Sequence, residues 1–303
     1  MQLGAACVGG MEEFKKQPIF SATVCPTSPL LLAQNVCEMI VEAARQGVGL
    51  FIIPMALAGA ISPATIAGTL VTTNAEILGS IILAQLTARG TPCIYANLST
   101  IMDMKTGVAA VGAPEVARVA AGTTRLAKYY GLPCLGGAAM SDSKIPDAQA
   151  AYESALSIML TALAGANLVF GMGGLDHLLT FDCAKLIMDA ELERMVMNVI
   201  GGIEVSDDSV ALDVIHQVGP AGEYLTQQHT YDHMRDFSQN QLYDRHTRDG
   251  WVEQGAKDLT ERAYEKARYI IENHKPKPLP EGAAAAMQTI AAEYEAELGI
   301  GQS

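Results

Sequence analysis

The feature that most constrains this chain is a helix-sized segment that ends at a glycine and is followed at once by a short apolar segment. It occurs four times, at Gly47, Gly90, Gly131 and Gly165, with intervals of 43, 41 and 34 residues. Glycine ends helices readily because it adopts the left-handed conformation, and uncharged segments rich in Val, Ile and Leu are typical of strands buried on both faces. Helices and strands alternating at this spacing predict an α/β chain built on a parallel sheet.

The same pattern divides the chain into three parts. Residues 1–202 hold the predicted βα units, 203–252 form a more polar segment with four of the six histidines, and 253–303 carry two C-terminal helices. Five strands are predicted, at 19–24, 51–55, 94–98, 133–140 and 168–170. Residues 58–73 are predicted as a loop, with Asn74 capping the apolar helix that follows.

Charge and cysteine content exclude several classes of protein. The net charge of −13 argues against binding to nucleic-acid phosphates or to anionic membranes. The uncharged stretch between Arg45 and Glu76 is interrupted by prolines and glycines, so no membrane-spanning helix is expected there. The six cysteines form no C-x-x-C pair and are predicted to be buried, reduced thiols. With no signal-peptide pattern at the first residues, we predict a cytoplasmic protein.

Polar side chains follow three of the predicted strands, at the end where α/β folds bind their ligands. Each has two open roles, in a site or in closing a loop, and Tyr95 on the third strand could equally pack in the core. These candidates are Tyr95, Asn97, Asp103, Asp142, Lys144, Asp176 and His177.

Several short motifs occur together in a fixed order. They are Pro54-Met55, Ala58-Gly59, Pro63, Ala67-Gly68, Asn74-Ala75-Glu76, Asp103-Met104, Thr106-Gly107, Gly112, Pro114-Glu115, Ser141-Asp142, Lys144, Asp147, Gln149, Leu179-Thr180, Lys185-Leu186, Asp189, Glu191, Gly222, Leu225 and His229-Thr230. These motifs resemble those of the trimethylamine methyltransferase family, whose non-pyrrolysine members act on quaternary amines. The resemblance runs from the first residues to about Ala263.

The resemblance implies a TIM-type (β/α)8 barrel with a C-terminal helical extension, in which residues 203–252 cover the barrel mouth. It implies transfer of a methyl group from a methylated amine to the Co(I) of a separate corrinoid protein, with no cofactor bound by the chain itself. Family members are much longer at the N-terminus, and only about five βα units are visible here. The alternative is therefore a non-catalytic or incomplete barrel, or a binding subunit, that another chain completes.

Trimethylamine-type members carry pyrrolysine on the strand that matches residues 134–139, where this sequence has only small ordinary residues. A quaternary ammonium expels a neutral amine that needs no proton, so positioning and desolvation suffice for its demethylation. We therefore expect a quaternary amine such as glycine betaine as the donor.

On this interpretation Asp142, Lys144 and His229 are the catalytic candidates. Tyr95, Asn97, Asp103, Asp176 and His177 are the substrate-binding candidates, because a quaternary cation prefers aromatic faces and carboxylates. The spacing of His216, His233 and His246 gives no metal pattern, so no metal is expected. A homo-oligomer is expected. An aldolase-like barrel enzyme is the weaker reading, since no lysine falls within a predicted strand.

Overall fold

A five-stranded parallel sheet organises the computed structural model, which describes residues 1–299. The strands lie side by side in the order in which the chain forms them, without reversal. They are β1 (Ala22–Val24), β2 (Leu50–Ile52), β3 (Cys93–Asn97), β4 (Cys134–Gly137) and β5 (Leu168–Phe170). An α/β chain with the predicted parallel strands is thus confirmed.

The helices between and after these strands make up most of the remaining regular structure. They are α1 (Gln2–Val8), α2 (Met11–Lys16), α3 (Gln34–Arg45), α4 (Ile66–Thr87), α5 (Pro114–Tyr130), α6 (Ala148–Ala164), α7 (Cys183–Ile200), α8 (Asp207–Val210), α9 (Leu212–Val218), α10 (Gln228–His233), α11 (Arg248–Glu253), α12 (Leu259–Asn273) and α13 (Ala283–Glu297). Successive helices from α3 to α7 contact one another, α12 packs on α7, and α13 packs on α1. The helices that follow the strands therefore form one continuous layer.

The two faces of the sheet differ because parallel crossovers are right-handed, so an unreversed strand order places every connecting helix on the same face. Side chains alternate between the faces. On the helix-covered face, Leu50 and Ile52 pack with Val36, Ile40 and Ile77 in the main core.

The opposite face, which we call the inner face, carries the side chains that alternate with Leu50 and Ile52 along the strands. Thr23 pairs with Phe51 and Phe51 with Ile94, while Leu135 pairs with Leu168 and Gly137 with Phe170. Leu168 and Phe170 are 44% and 46% exposed. The inner face is apolar, and part of it is open.

Short strands and one tight turn complete the loops at the carboxyl ends of the sheet strands. Two of the short strands, Gly174–Leu175 and Thr180–Phe181, form an antiparallel hairpin after β5, and a 3-10 turn at Asp176–Leu178 joins them. Three others, Leu57–Ala58, Thr100–Met102 and Ala109–Ala110, form a small sheet from the loops after β2 and β3. The loops of neighbouring units are thereby tied together.

The predicted start of the helix after β2 is wrong. Helix α4 begins at Ile66, because the Thr65 side chain accepts a hydrogen bond from the Gly68 amide and caps it there. Asn74 lies inside this helix, where it bonds the hydroxyls of Tyr95 and Tyr130. Helix α4 is also the one described helix long and apolar enough to cross a membrane, by length and composition alone. Its polar side includes Glu76, which is buried against the loop after β1.

Cysteine burial is the second difference. Cys93 and Cys134 are buried, whereas Cys25 and Cys183 are exposed and Cys7 and Cys37 are partly exposed. All six are free thiols. Burial raises the pKa of the Cys93 thiol, and partial desolvation by its neighbours raises that of the exposed Cys25 thiol, so neither is an activated thiolate.

Candidate functional site

Four of the polar residues singled out from the sequence lie together at the carboxyl ends of β4 and β5. Asp142 and Lys144 are in the loop after β4, and Asp176 and His177 are in the turn after β5. The two loops are joined by backbone hydrogen bonds from the Asp176 amide to the Ser143 carbonyl (2.8 Å) and from the His177 amide to the Ser141 carbonyl (3.3 Å). We call these four residues the polar cluster.

His177 occupies the centre of the polar cluster. Its Nδ1 is 2.8 Å from Oδ1 of Asp142, and its Nε2 is 3.3 Å from Nζ of Lys144. The first contact lacks the alignment of a hydrogen bond, so Nδ1 has no hydrogen-bond partner among the described residues. Lys144 also donates to the Asp142 carbonyl oxygen (2.7 Å) and lies 3.7 Å from Asp176. Two carboxylates and one ammonium give the cluster a net negative formal charge, which favours a cationic ligand.

The turn that carries His177 has an uncommon backbone. Asp176, His177 and Leu178 have φ values of 50°, 59° and 68°, in the left-handed region that non-glycine residues rarely enter. Each such residue stores roughly 1–2 kcal/mol of strain, which the surrounding contacts must offset. Strain of this kind is concentrated at functional sites, and here it directs His177 toward Asp142.

An apolar cavity of about 590 Å³ lies on the inner face of the sheet, next to this turn. Leu178 is one of its lining residues, so the polar cluster and the cavity share adjacent residues of one turn. Two phenylalanines, Phe51 and Phe170, contribute aromatic surface. The remaining lining residues are Thr23, Cys25, Ile53, Met55, Leu98 and Leu135, none of which is charged.

A buried ion pair that the sequence reading did not assign supports the loops of the site. The Nζ of Lys185 donates to both oxygens of Asp189 (2.7 and 2.6 Å), to Ser154 Oγ (2.8 Å) and to the Ala139 carbonyl (3.1 Å). Asp189 also accepts from the Gly173 amide (2.8 Å). Burial lowers the pKa of Lys185 and raises that of Asp189, each opposed by the partner charge.

The Lys185–Asp189 pair positions the loops that follow β4 and β5. Ala139, at φ 62°, and Gly173 lie where β4 and β5 pass into their exit loops, so the pair fixes both loops relative to α7. Lys185 is fully buried and has all three ammonium protons engaged, which makes it unsuited to forming a Schiff base. The i, i+4 spacing of Lys185 and Asp189 was the signal in the sequence, but it also occurs on ordinary helix surfaces.

Glu153 of α6 is a second residue that the sequence reading missed. Its Oε2 accepts hydrogen bonds from Ser141 Oγ (2.6 Å) and from the Asp142 amide (2.9 Å). Asp142 in turn accepts from the Val111 amide through Oδ1 (2.8 Å). These hydrogen bonds hold both the backbone and the side chain of Asp142 in place within the polar cluster.

Three of the other candidates lie outside the polar cluster. The Tyr95 side chain points to the helix-covered face, where its hydroxyl donates to Asn74 Oδ1 (2.7 Å) and burial raises its pKa. Asn97 donates to Thr73 Oγ1 of α4 (2.9 Å) and accepts from the Ser99 amide (2.8 Å). Asp103 is half-buried and closes its own turn by accepting from the Lys105 and Thr106 amides. Of the two roles left open for each, these contacts are those of packing and loop capping.

His229 lies on α10, in the polar segment, and its ring is 4.3 Å from that of His233. Its Nε2 is 3.2 Å from the Asp208 carbonyl oxygen. Within residues 1–299, the hydrogen bonds and ion pairs of His229 join it to this segment and not to Asp142 or Lys144. A catalytic role for His229 therefore remains a prediction from its motif.

Comparisons with known proteins agree with the resemblance. A sequence model of the trimethylamine methyltransferase (MTTB) family matches residues 2–299. The chain is 48% identical over 303 residues to a trimethylamine methyltransferase MttB of Desulfitobacterium hafniense, which covers 100% of this chain and 61% of the relative. It is 41% identical over 271 residues to one from Methanosarcina thermophila, which covers 89% of this chain and 56% of the relative.

A relative with another substrate in its name also matches. The chain is 34% identical over 301 residues to a glycine betaine methyltransferase of Desulfitobacterium hafniense strain Y51, with 99% of this chain and 63% of the relative covered. The chain thus spans about six-tenths of the length of the curated relatives it matches.

Proposed function

The chain belongs to the trimethylamine methyltransferase family, and we propose that it acts in moving a methyl group from a quaternary amine to the Co(I) of a corrinoid protein. The observation that carries the proposal is the apolar cavity with two phenylalanines beside a cluster that holds both signs of charge. A betaine-like donor has the same two-part character, with a methylated cation at one end and a carboxylate at the other.

The cation end is proposed to lie in the cavity. Phe51 and Phe170 offer ring faces to a trimethylammonium group, an interaction that contributes roughly 0.5–2 kcal/mol depending on desolvation. The net negative polar cluster adds attraction at longer range. A neutral tertiary amine would gain less from both effects.

The carboxylate end is proposed to contact Lys144 and His177. The Lys144 side chain is 64% exposed, so its ammonium is accessible to a ligand. His177 can donate from a ring nitrogen to a carboxylate when it is protonated. Asp142 and Asp176 hold these two donors in place.

The chemistry then requires no protein nucleophile and no general acid. The bond between nitrogen and the methyl carbon breaks, its electron pair stays on nitrogen, and the amine leaves neutral. The corrinoid would supply the nucleophile, Co(I). The chain's own residues hold the donor, exclude water and orient one methyl group outward. Gly137, the last residue of β4, has no side chain on the inner face, and β4 provides no activating group for a tertiary amine.

The residues present fit a corrinoid that is presented by a partner protein. Met55 and Phe170 line the cavity and are each 46% exposed, so apolar surface remains accessible from outside. The same partner is what the family resemblance implies. A cytoplasmic location and a homo-oligomer remain predictions.

The open inner face favours one alternative function. Within residues 1–299, the five-stranded sheet has edges at β1 and β5, and its inner face is apolar and partly open. A polypeptide that adds βα units to both edges would close it as a (β/α)8 barrel. On this alternative the chain is a binding subunit that is active only when complemented.

Methyl transfer to free cob(I)alamin, followed by absorbance, tests the proposal. Glycine betaine and other quaternary amines are compared with trimethylamine, with a full-length homologue as positive control. Methylation with quaternary donors only is the expected result. Methylation with trimethylamine alone would refute the substrate class. Transfer that starts only after a complementing polypeptide is added would establish the alternative.

A further inference from the structure

The polar segment contains a cluster of potential metal ligands whose geometry the methyl transfer proposed above does not use. His229 and His233 are four residues apart on α10, so both imidazoles project from the same side of the helix. Asp208 at the start of α8 faces them: its Oδ2 is 3.1 Å from His233 Nε2, and its carbonyl oxygen is 3.2 Å from His229 Nε2. One ligand atom from each residue lies within 4.8 Å of the others.

A second carboxylate orients one of the two histidines. Asp236 Oδ2 is 2.8 Å from His233 Nδ1, so this nitrogen donates to Asp236 and leaves Nε2 to face Asp208. Metal-bound histidines usually donate their other ring N–H to a carboxylate or carbonyl in this way, because the bond fixes the ring and raises its basicity. Asp208 and Asp236 place negative charge on two sides of His233, and this charge attracts a cation.

The helices around these ligands have little packing of their own to hold them together. Helices α8, α9 and α10 are 4, 7 and 6 residues long, and none of them contains a buried residue. Isolated helices of this length are unstable in water, and small segments without a core are commonly held by a structural metal. Exposed apolar side chains such as Leu212, Leu225 and Phe237 show how little of the segment is packed.

We propose that Asp208, His229 and His233 form a binding site for a divalent first-row transition metal, with Zn²⁺ as the best match. Two imidazole nitrogens and one carboxylate oxygen are an established donor set for zinc, with a fourth position left for water. Zinc bonds of about 2.0–2.2 Å in a tetrahedron place ligand atoms roughly 3.4 Å apart, so small side-chain rotations close the site. The metal would join α8 to α10 and stabilise the segment.

The site would not require the corrinoid or the amine, and its test is independent of methyl transfer. Untagged chain is stripped with a chelator and titrated with ZnCl2 by calorimetry, and with CoCl2 by visible absorbance, which reports nitrogen and oxygen ligation. We expect one equivalent to bind and to protect the amides of α8 and α10 against hydrogen exchange. Absence of binding would overturn the proposal.

Variants locate the metal. His229→Ala and His233→Ala are expected to abolish binding, whereas His216→Ala, an exposed histidine on the neighbouring helix α9, should retain it. Asp208→Asn keeps the size of the side chain if the alanine variants fold poorly, and it should also lose the site. Asp236→Asn should weaken affinity about 10–100-fold through its effect on His233. Binding retained by a His229→Ala/His233→Ala double variant, or lost equally in His216→Ala, would refute the assignment.

Discussion

Replacing Lys185 by methionine tests whether the buried ion pair holds the site together. The ammonium is fully buried and donates to four oxygen atoms on three residues. Methionine keeps the apolar stem and removes the charge. The carboxylate of Asp189 then stays buried with the Gly173 amide as its remaining backbone donor.

Removing one partner of a buried ion pair costs about 3–5 kcal/mol, because the remaining charge has no compensation. The single changes Lys185→Met and Asp189→Leu should each lower the free energy of unfolding by that amount. If they acted independently, the double variant would lose roughly 6–10 kcal/mol. Because the pair acts as a unit, we expect the double variant to lose about the same as either single one.

Urea unfolding followed by circular dichroism measures these free energies. Lys16→Met is the matched control, since Lys16 and Glu13 form an ion pair with side chains 69% and 56% exposed, and its loss should cost about 0–1 kcal/mol. A Lys185→Met variant as stable as the control, or strict additivity in the double variant, would refute the reasoning. Methyl transfer should fall with stability, since Ala139 and Gly173 lose their anchors.

Three further predictions concern single side chains. Lys144→Met should raise KM for glycine betaine by up to about 5-fold, because an exposed charge pair contributes ~1 kcal/mol. KM for tetramethylammonium, which has no carboxylate, should stay unchanged. Steady-state kinetics with both donors measures the difference. The Arg194 side chain and the Gln241 and Leu242 amides outweigh burial and lower the pKa of Glu191 from its usual 4.5. Its stabilising contribution is therefore complete above that value and is lost as pH falls through the folded pKa, and Glu191→Gln should remove this part of the pH dependence in urea unfolding. Ala256→Gly should raise the unfolding free energy by up to about 1 kcal/mol, because Ala256 has φ 51°; a lower urea midpoint would contradict this.

The sequence predicted the parallel sheet well, because its signals are local. The glycines at 47, 90, 131 and 165 all adopt positive φ after their helices, and each is followed by a sheet strand. The predicted start of α4 was wrong because both Thr65 and Asn74 are residue types that cap helices. Only the tertiary contacts of Asn74 with Tyr95 and Tyr130 decide between them.

The candidate site was predicted only in part. Asp142, Lys144, Asp176 and His177 follow neighbouring parallel strands, so their proximity follows from strand order. The faces of Tyr95 and Asn97 depend on the phase of strand alternation, and an all-apolar strand does not reveal that phase. The i, i+4 spacing of His229 and His233 brings their rings together only where the segment is helical, and no helix is predicted at these residues from the sequence.

The left-handed turn at Asp176–Leu178 sets the distance between the polar cluster and the apolar cavity. His177 in the polar cluster and Leu178 in the cavity are consecutive residues on a backbone that has little freedom to move. The separation between the charged end and the apolar end is thus set by one peptide unit. On the proposed function, a donor would be selected by the number of bonds between its methylated nitrogen and its carboxylate, and a homologue longer by one or two methylenes would lose one of the two contacts.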